Sequence, residues 1–177
     1  MKTSNVRRYK WFWAWQDERE EAWLSDMASQ GYHLARLPFP GVYDFTQGDL
    51  TETVYRLDFP YVAGQEYESY LQLFEDAGWE HVGKMGGWQY FRRSVEPGET
   101  AEIFSDLDSK IKKYQRLLTY LVIFLPIWAV VLPDNLDRYS RVLGITVTVL
   151  FTAFTLLYAF AMIMIFRRIQ QLNEQKE

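Results

Sequence analysis

Two long apolar runs occupy the carboxyl-terminal third of the chain, at residues 117–132 and 142–166, and only the polar stretch 133–141 separates them. A helix rises about 1.5 Å per residue, so crossing a hydrocarbon core of about 30 Å takes roughly 20 residues. The second run has neither charge nor proline over 25 positions. The pattern predicts a two-helix transmembrane hairpin, with spans at about 115–133 and 142–166. For the shorter first run, a buried core helix is the alternative.

Small residues recur along one face of the second run. They follow one another at steps of three or four positions: Gly144, Thr148, Thr152, Thr155 and Ala159. Small side chains let two helix backbones approach closely, so the pattern predicts a helix-packing seam. An oligomer interface or a polar lining is the alternative. The run contains no aspartate, glutamate, lysine, arginine or histidine, which argues against a proton or ion pathway.

Basic residues flank the two runs and predict their orientation. They precede the first run and follow the second: Lys110, Lys112, Lys113, Arg116, Arg167, Arg168 and Lys176. Basic flanks stay in the cytoplasm, so we expect a multi-pass protein of the cell (inner) membrane with both termini cytoplasmic. No apolar signal segment follows Met1, and the absence of cysteine fits a cytoplasmic head and excludes disulfides.

The residues before the hairpin show a pattern that occurs twice. Helices are predicted at 17–30 and 67–77, each ended by a glycine, and strands at 9–15 and 53–59 precede them. The residues expected to face inward are Ala22, Trp23, Leu24, Met27, Tyr70, Leu71, Phe74 and Ala77. A duplicated strand–helix–strand–strand unit follows, giving an α+β head with an antiparallel sheet and both helices on one face. Independent origin of two similar helix ends is the alternative.

This pattern divides the chain into three parts. The head covers residues 1–93. A hinge that contains Pro97, Gly98 and several polar residues covers 94–104, and residues 105–177 form a juxtamembrane helix, the hairpin and a short basic tail. Residues 1–104 contain ten lysines and arginines against seventeen acidic residues, a net charge of −7. Nucleic-acid binding needs a basic surface, so an acidic head predicts no nucleic-acid partner.

The head offers little catalytic or metal-binding chemistry. His33 and His81 are isolated, whereas a metal site needs three or four converging ligands. The acidic residues around 17–21 are interpreted as a solvated helix start, where the helix dipole favours negative charge. The glycines at 83–87 lack the order of a phosphate-binding loop. We therefore expect no cofactor, no metal and no catalytic residue.

Tryptophans are concentrated near the amino terminus. Trp11, Trp13 and Trp15 are predicted to share one face of the first strand. Most such rings are expected in the core, because aromatic side chains bury large areas. Together with Trp88, these three are the candidate ligand- or partner-binding residues, in a groove for a peptide or an aromatic drug. Insertion at the bilayer surface beside Arg7, Arg8 and Lys10 is the alternative.

The head resembles a bacterial family catalogued as domain of unknown function 2812, over about residues 8–93. The segments that carry the resemblance are Glu20-Glu21-Ala22-Trp23-Leu24, Gly31-Tyr32, Tyr43-Asp44-Phe45, Tyr55-Arg56-Leu57-Asp58, Tyr70-Leu71 and Phe74-Glu75-Asp76-Ala77-Gly78-Trp79-Glu80. The resemblance implies a cytoplasmic module fused to membrane helices. Members are often encoded beside a PadR-like regulator, which implies a role in envelope or drug stress. The family supplies no catalytic residues.

These observations predict a membrane-anchored, non-enzymatic binding, sensory or regulatory adaptor. Its expected partners are the lipid bilayer and either a protein or a second copy of the chain. One alternative is an enzyme of the membrane surface, in which Asp58, His33 or His81 would cluster in a deep cleft. The other is a small transport or channel subunit with a lumen lined by the threonines of the seam.

Overall fold

The computed structural model describes residues 5–96, 107–131 and 141–175, and the backbone alone for 124–131 and 141–143. The chain forms two compact units, Met1–Asp106 and Leu107–Glu177. The first unit contains the head. Its elements are β1 (Asn5–Tyr9), α1 (Asp17–Ser29), β2 (Tyr32–Phe39), β3 (Val42–Gln47), β4 (Thr53–Asp58), α2 (Gln65–Asp76), β5 (Glu80–Met85) and β6 (Trp88–Ser94).

The order strand–helix–strand–strand occurs twice in the head, as predicted. The strands form two three-stranded antiparallel sheets, ordered β1-β3-β2 and β4-β6-β5, so the two repeats have the same topology. The expectation of one antiparallel sheet was wrong, because no ladder of backbone hydrogen bonds joins the two sheets among the described strands. Strands β2 and β5 nevertheless lie next to each other.

Glycines end both helices of the head at the predicted positions. Gly31 and Gly78 each follow a helix by two residues, and both have φ of +82°. A left-handed conformation costs little only where there is no Cβ, so glycine is favoured there. In the second repeat the amide of Trp79 donates to the carbonyl of Phe74, which closes the helix end. The helix ends were therefore predicted correctly from local sequence.

Helix α1 of the first repeat covers the edge of the second sheet. Strand β4 lies at that edge, and its outward amides bind side chains of α1. The amide of Tyr55 donates to Ser25 Oγ at 3.2 Å, and the amide of Leu57 donates to Glu21 Oε1 at 2.8 Å. Unpaired edge amides invite pairing with other chains. Here α1 satisfies two of them and joins the repeats.

Replacing Ser25 with alanine should destabilise the head, because the substitution removes the oxygen that accepts a hydrogen bond from the backbone amide of Tyr55 in β4. The loss of a partner for a buried amide costs about 1–3 kcal/mol. The measurement is urea unfolding of the full-length protein in detergent. Ser29→Ala is the control, since that exposed hydroxyl bonds only to its own helix at Asp26. Equal stability of the two variants would contradict the bridging role of Ser25.

The main core contains side chains from both repeats. Its buried members are Leu24, Met27, Ala28, Leu34, Tyr43, Phe45, Tyr55, Leu57 and Tyr90. On α1 the buried stripe runs through positions 20, 24 and 27–28, as helical periodicity requires. Ala22 is exposed because it lies about 200° around the helix from Glu20. Ala77 is also exposed, since it follows the end of α2, so both were wrongly expected to face inward.

The second unit consists of two helices that pack against each other, α3 (Leu107–Val131) and α4 (Arg141–Glu174). The hydroxyl of Tyr158 donates to the carbonyl of Leu121, which ties α4 to α3. Among the described residues, one segment is long and apolar enough to cross a membrane, Gly144–Glu174, and almost none of its most apolar stretch is buried. The structure therefore shows one candidate span, whereas the sequence predicts two. Of the predicted connection at 133–141, residues 133–140 lie outside the described residues, and Arg141 begins α4.

The threonines of the predicted seam are exposed on α4. Each hydroxyl donates to a carbonyl of the preceding turn, from Thr148 to Gly144, from Thr152 to Thr148 and from Thr155 to Phe151, all at 2.9 Å. Their hydrogens are used inside the helix, which favours packing over a polar lining. The helix-packing role of the seam stays a prediction. Most of the predicted hinge, residues 97–104, lies outside the described residues.

Candidate functional site

The three amino-terminal tryptophans lie in a loop, so the predicted strand at 9–15 was wrong. Strand β1 ends at Tyr9, whose partner Val42 is the first residue of β3. Beyond that pair, Lys10 donates its amide to Gly41 in the turn before β3. A strand needs a neighbouring strand for its backbone groups, and β3 provides none past Val42. The chain therefore turns at residues 14–15 and enters α1.

The loop brings the three tryptophan rings together by a different geometry. Trp11 meets Trp13 edge to face with ring centroids 5.8 Å apart. Trp13 stacks on Trp15 with centroids 5.4 Å apart and an angle of 3° between the planes. Offset and edge-to-face contacts are the favoured arrangements of aromatic pairs. The predicted grouping of the three rings is thus present, although it does not come from strand alternation.

A pocket of about 160 Å³ lies between this loop and the second repeat. We call it the aromatic pocket. Its wall comes from the loop, the start of α1, the β2–β3 turn, strands β3, β4 and β6, and the β5–β6 turn. The lining residues are Trp11, Phe12, Trp13, Ala14, Asp17, Glu20, Pro40, Gly41, Tyr43, Leu57, Met85, Gly86, Trp88 and Tyr90. Three of the four predicted recognition residues therefore line one pocket, and the fourth, Trp15, stacks on Trp13.

Glu20 is one of two buried acidic residues that line the aromatic pocket, and Asp17 is the other. Glu20 is 6 % exposed, and its Oε1 accepts hydrogen bonds from Tyr43 Oη at 2.8 Å and Tyr90 Oη at 2.7 Å. Burial raises the pKa of Glu20, and the two hydroxyl donors oppose that rise. Tyr43 belongs to the first repeat and Tyr90 to the second, so the carboxylate joins both halves of the head.

The same environment keeps the two tyrosines protonated. Burial raises the pKa of Tyr43 and of Tyr90 far above the usual range, and the nearby charge of Glu20 raises both further. Each phenol therefore remains a neutral donor to the carboxylate at physiological pH. Both phenols donate to the carboxyl group of Glu20, and neither offers a ready proton to a reaction.

Sequence reasoning missed the acidic part of this site. Asp17, Glu20 and Glu21 are buried, whereas a solvated helix start was expected, and Glu18 is exposed as expected. Glu20 lies one turn before Leu24 on the buried stripe of α1, and this spacing was the signal that could have revealed it. Tyr43 and Tyr90 were also missed, because only tertiary structure brings their hydroxyls to one oxygen.

Basic residues around the loop interact with neighbouring side chains. The Lys10 ammonium lies 5.2 Å from the centroid of the Phe12 ring and 4.8 Å from that of Trp23. Arg7 and Arg36, from the strands on either side of β3, both pair with Asp44, at 2.6 and 2.8 Å. These two guanidinium groups hold the pKa of Asp44 well below its usual value of 3.8.

The Asp44 pairs should make the head sensitive to acid. A carboxyl whose pKa is lower in the folded state stabilises the fold above its unfolded pKa, near 3.8, and this contribution is lost as the pH falls toward the folded value. Asp44→Asn should therefore be less stable than the wild type at pH 7, and the difference should shrink below about pH 4. Urea unfolding between pH 3 and 7 measures it. Asp49→Asn, in an exposed loop, is the control, and a difference between wild type and Asp44→Asn that does not change with pH would contradict the prediction.

The histidines and Asp58 do not form one catalytic cluster. His33 lies on the first sheet, with Nε2 2.9 Å from the carbonyl oxygen of Asp49. His81 lies on the second sheet, with Nε2 2.9 Å from Gln89 Oε1, and Asp58 accepts a hydrogen bond from Tyr70. Within residues 5–96, 107–131 and 141–175, no group of three or more histidine, aspartate or glutamate residues could hold a metal ion.

Comparison with known protein families shows the family of this chain. A family model described as protein of unknown function (DUF2812) matches residues 16–125, which is more than half of the chain. The chain belongs to this family. No curated protein and no solved structure matches the chain. The DUF2812 match begins after the tryptophan loop, contains Glu20, Tyr43 and Trp88, and extends into α3, farther than the resemblance over residues 8–93.

Proposed function

We propose that this DUF2812 protein is a membrane-anchored, non-enzymatic binding module that regulates or senses at the bacterial cell membrane. Its head binds a small ligand in the aromatic pocket, and its carboxyl-terminal helices tether the head to the bilayer. The observation that supports this proposal best is the pocket itself, whose lining includes Trp11, Trp13 and Trp88 and the buried Glu20. A link to envelope or drug stress is part of the proposal.

The proposal of a membrane anchor is supported by the exposed apolar surface of α4 and by the sequence before α4. Apolar side chains are exposed along α4, among them Leu150, Phe154 and Leu157. Water disfavours such a surface, whereas lipid solvates it. We propose that α3 also spans the bilayer, because its run is apolar and the connection to α4 is short. Basic flanks favour an orientation in which both termini are cytoplasmic, and this orientation is part of the proposal.

A cysteine at Asn135 tests this topology, since the chain has no cysteine of its own. Asn135 lies in the connection between the helices, outside the described residues. A membrane-impermeant maleimide should label Asn135→Cys in intact spheroplasts, while Glu174→Cys near the carboxyl terminus should react only after permeabilisation. The reverse pattern would mean that the orientation is wrong, and labelling of both in intact spheroplasts would mean that the helices do not form two spans.

Binding is favoured over catalysis by the residues that line the pocket. Rings and aliphatic side chains form most of its surface, and the carboxylates of Asp17 and Glu20 come from one turn of α1. Among the residues that the structure describes, the lining contains no serine, cysteine, lysine or histidine that could act as a nucleophile or a partnered base. Pockets lined by aromatic groups with a few placed polar atoms are typical ligand sites.

A ligand screen tests the proposed function. The full-length protein in dodecyl maltoside is heated with a panel of neutral, anionic and cationic single-ring compounds, and tryptophan fluorescence reports unfolding. At least one compound should raise the melting temperature of the wild type but not that of Trp88→Leu. Trp79→Leu cannot serve as control because Trp79 is buried, so Leu73→Ala, on the exposed side of α2, is used. If no compound stabilises the wild type, the aromatic pocket is not a ligand site of this kind.

A further inference from the structure

The lining of the aromatic pocket combines rings with negative charge. We propose that the ligand of this pocket is a small organic cation, an ammonium group that bears methyl groups or one aromatic ring. This inference rests on the binding function proposed above. The ammonium would lie between the rings of Trp11, Trp13 and Trp88, with its charge toward the carboxylates of Asp17 and Glu20.

Aromatic rings form a large part of the pocket wall. Trp11, Trp13 and Trp88 line the pocket together with Phe12, Tyr43 and Tyr90. The face of an aromatic ring is electronegative, and cages of such rings recognise quaternary ammonium groups. Phe12 already lies 5.2 Å from the ammonium of Lys10, so the tryptophan rings are the ones proposed to contact the ligand.

Two acidic side chains lie in the same pocket wall. Asp17 and Glu20, which are 2 % and 6 % exposed, line the pocket, and no lysine, arginine or histidine of the described part of the chain does. Charges interact more strongly where water is excluded, so two carboxylates at this depth attract a cation and repel an anion. Burial opposes ionisation of Glu20, and a bound cation would offset that cost.

The volume limits the size of the ligand. The pocket holds about 160 Å³, and an engineered cavity of ~150 Å³ in another protein accommodates benzene. One ring or one trimethylammonium group therefore fits, and a larger molecule would place only its cationic end inside. A free cation and a lipid with a choline headgroup both present this chemistry.

Three probes of similar size and different charge test the proposal: benzyltrimethylammonium, benzyl alcohol and benzoate. Isothermal titration calorimetry uses the full-length protein in dodecyl maltoside at pH 8 and low salt. The cation should bind at least about tenfold more tightly than benzyl alcohol, a difference of about 1.4 kcal/mol, and benzoate should bind most weakly. Displacement of the cation by dodecylphosphocholine would indicate a lipid headgroup as the source, and no displacement would indicate a free cation.

Two substitutions in the same turn of α1, Glu20→Gln and Glu18→Gln, form a pair of test and control. Glu20→Gln keeps an acceptor oxygen for Tyr43 and Tyr90 but removes the charge, and should weaken cation binding about tenfold while benzyl alcohol binding changes less than twofold. Glu18→Gln removes the same charge from an exposed position and should leave both affinities unchanged. If Glu20→Gln unfolds, Asp17→Asn serves in its place, judged against the same control.

The outcomes separate this inference from the proposed function. If benzyl alcohol or benzoate binds as tightly as the cation, the pocket is a ligand site and the cation inference is wrong. Equal losses of cation affinity in Glu20→Gln and Glu18→Gln would also overturn it, because the effect would then come from net charge. If none of the three probes binds, both the inference and the proposed function fail.

Discussion

Two carboxylates placed in the apolar part of α4, by Leu150→Asp and Leu157→Asp, are expected to release the protein from membranes. Both leucines are exposed on α4 and lie on either side of the middle of the 142–166 run. A charged residue near the centre of a span costs about 3 kcal/mol, so the pair costs about 6 kcal/mol. The wild type should remain in the pellet after carbonate extraction and ultracentrifugation of lysed cells, whereas the variant should move mainly to the supernatant.

The control places the same charges at the polar end of the helix. Gln170→Asp and Gln171→Asp change two exposed residues beyond the apolar run and should leave the protein in the pellet. Exposed apolar side chains on α4 also fit a helix that packs on a partner protein. In that case the wild type itself would appear in the supernatant without detergent, and the membrane proposal would be wrong.

Leu24→Ala is expected to cause the largest loss of stability in the head, about 2–5 kcal/mol. Leu24 is completely buried in α1, in a core formed by both repeats. The truncation removes apolar contacts and leaves a cavity that close-packed neighbours fill only in part. Because the core is shared, both sheets should unfold in one transition, shifted to lower urea. Tryptophan fluorescence and far-ultraviolet circular dichroism follow it on the full-length protein.

A helix leucine of the second repeat provides the control. Leu73 on α2 is 66 % exposed, so Leu73→Ala should change the free energy of unfolding by less than about 0.5 kcal/mol. Two separate transitions in the wild type, with only the first shifted by Leu24→Ala, would show that the repeats are independent. That result would contradict the shared core and also the bridging role given to Glu20.

The two repeats share a topology but contribute differently to the aromatic pocket. Helix α1 provides the carboxylates of Asp17 and Glu20, and the loop before it provides Trp11 and Trp13. The second repeat provides Trp88 and Tyr90 from its last strand, while α2 contributes no lining residue. The pocket therefore depends on both halves, and a ligand there would contact the duplicated units at once.

Local patterns in the sequence were enough to predict several elements of the head. Helical spacing predicted α1 and α2, Gly31 and Gly78 predicted their ends, and alternation predicted β4. These features depend on residues close together in the chain, so a short window contains their cause. The long apolar run likewise predicted a helix that is suited to lipid, because length and composition alone determine that property.

Tertiary structure decided the features that depend on distant residues. Strand β1 stops at Tyr9 because β3 offers no partner beyond Val42, and no pattern within residues 9–15 contains that information. The burial of Glu20 depends on Tyr43 and Tyr90, which lie 23 and 70 positions away and supply its hydrogen bonds. The sequence by itself determined the helices, the repeat and the apolar tail. Only the folded chain placed the tryptophans around a buried carboxylate, since desolvation and hydrogen bonding act between groups that folding brings together.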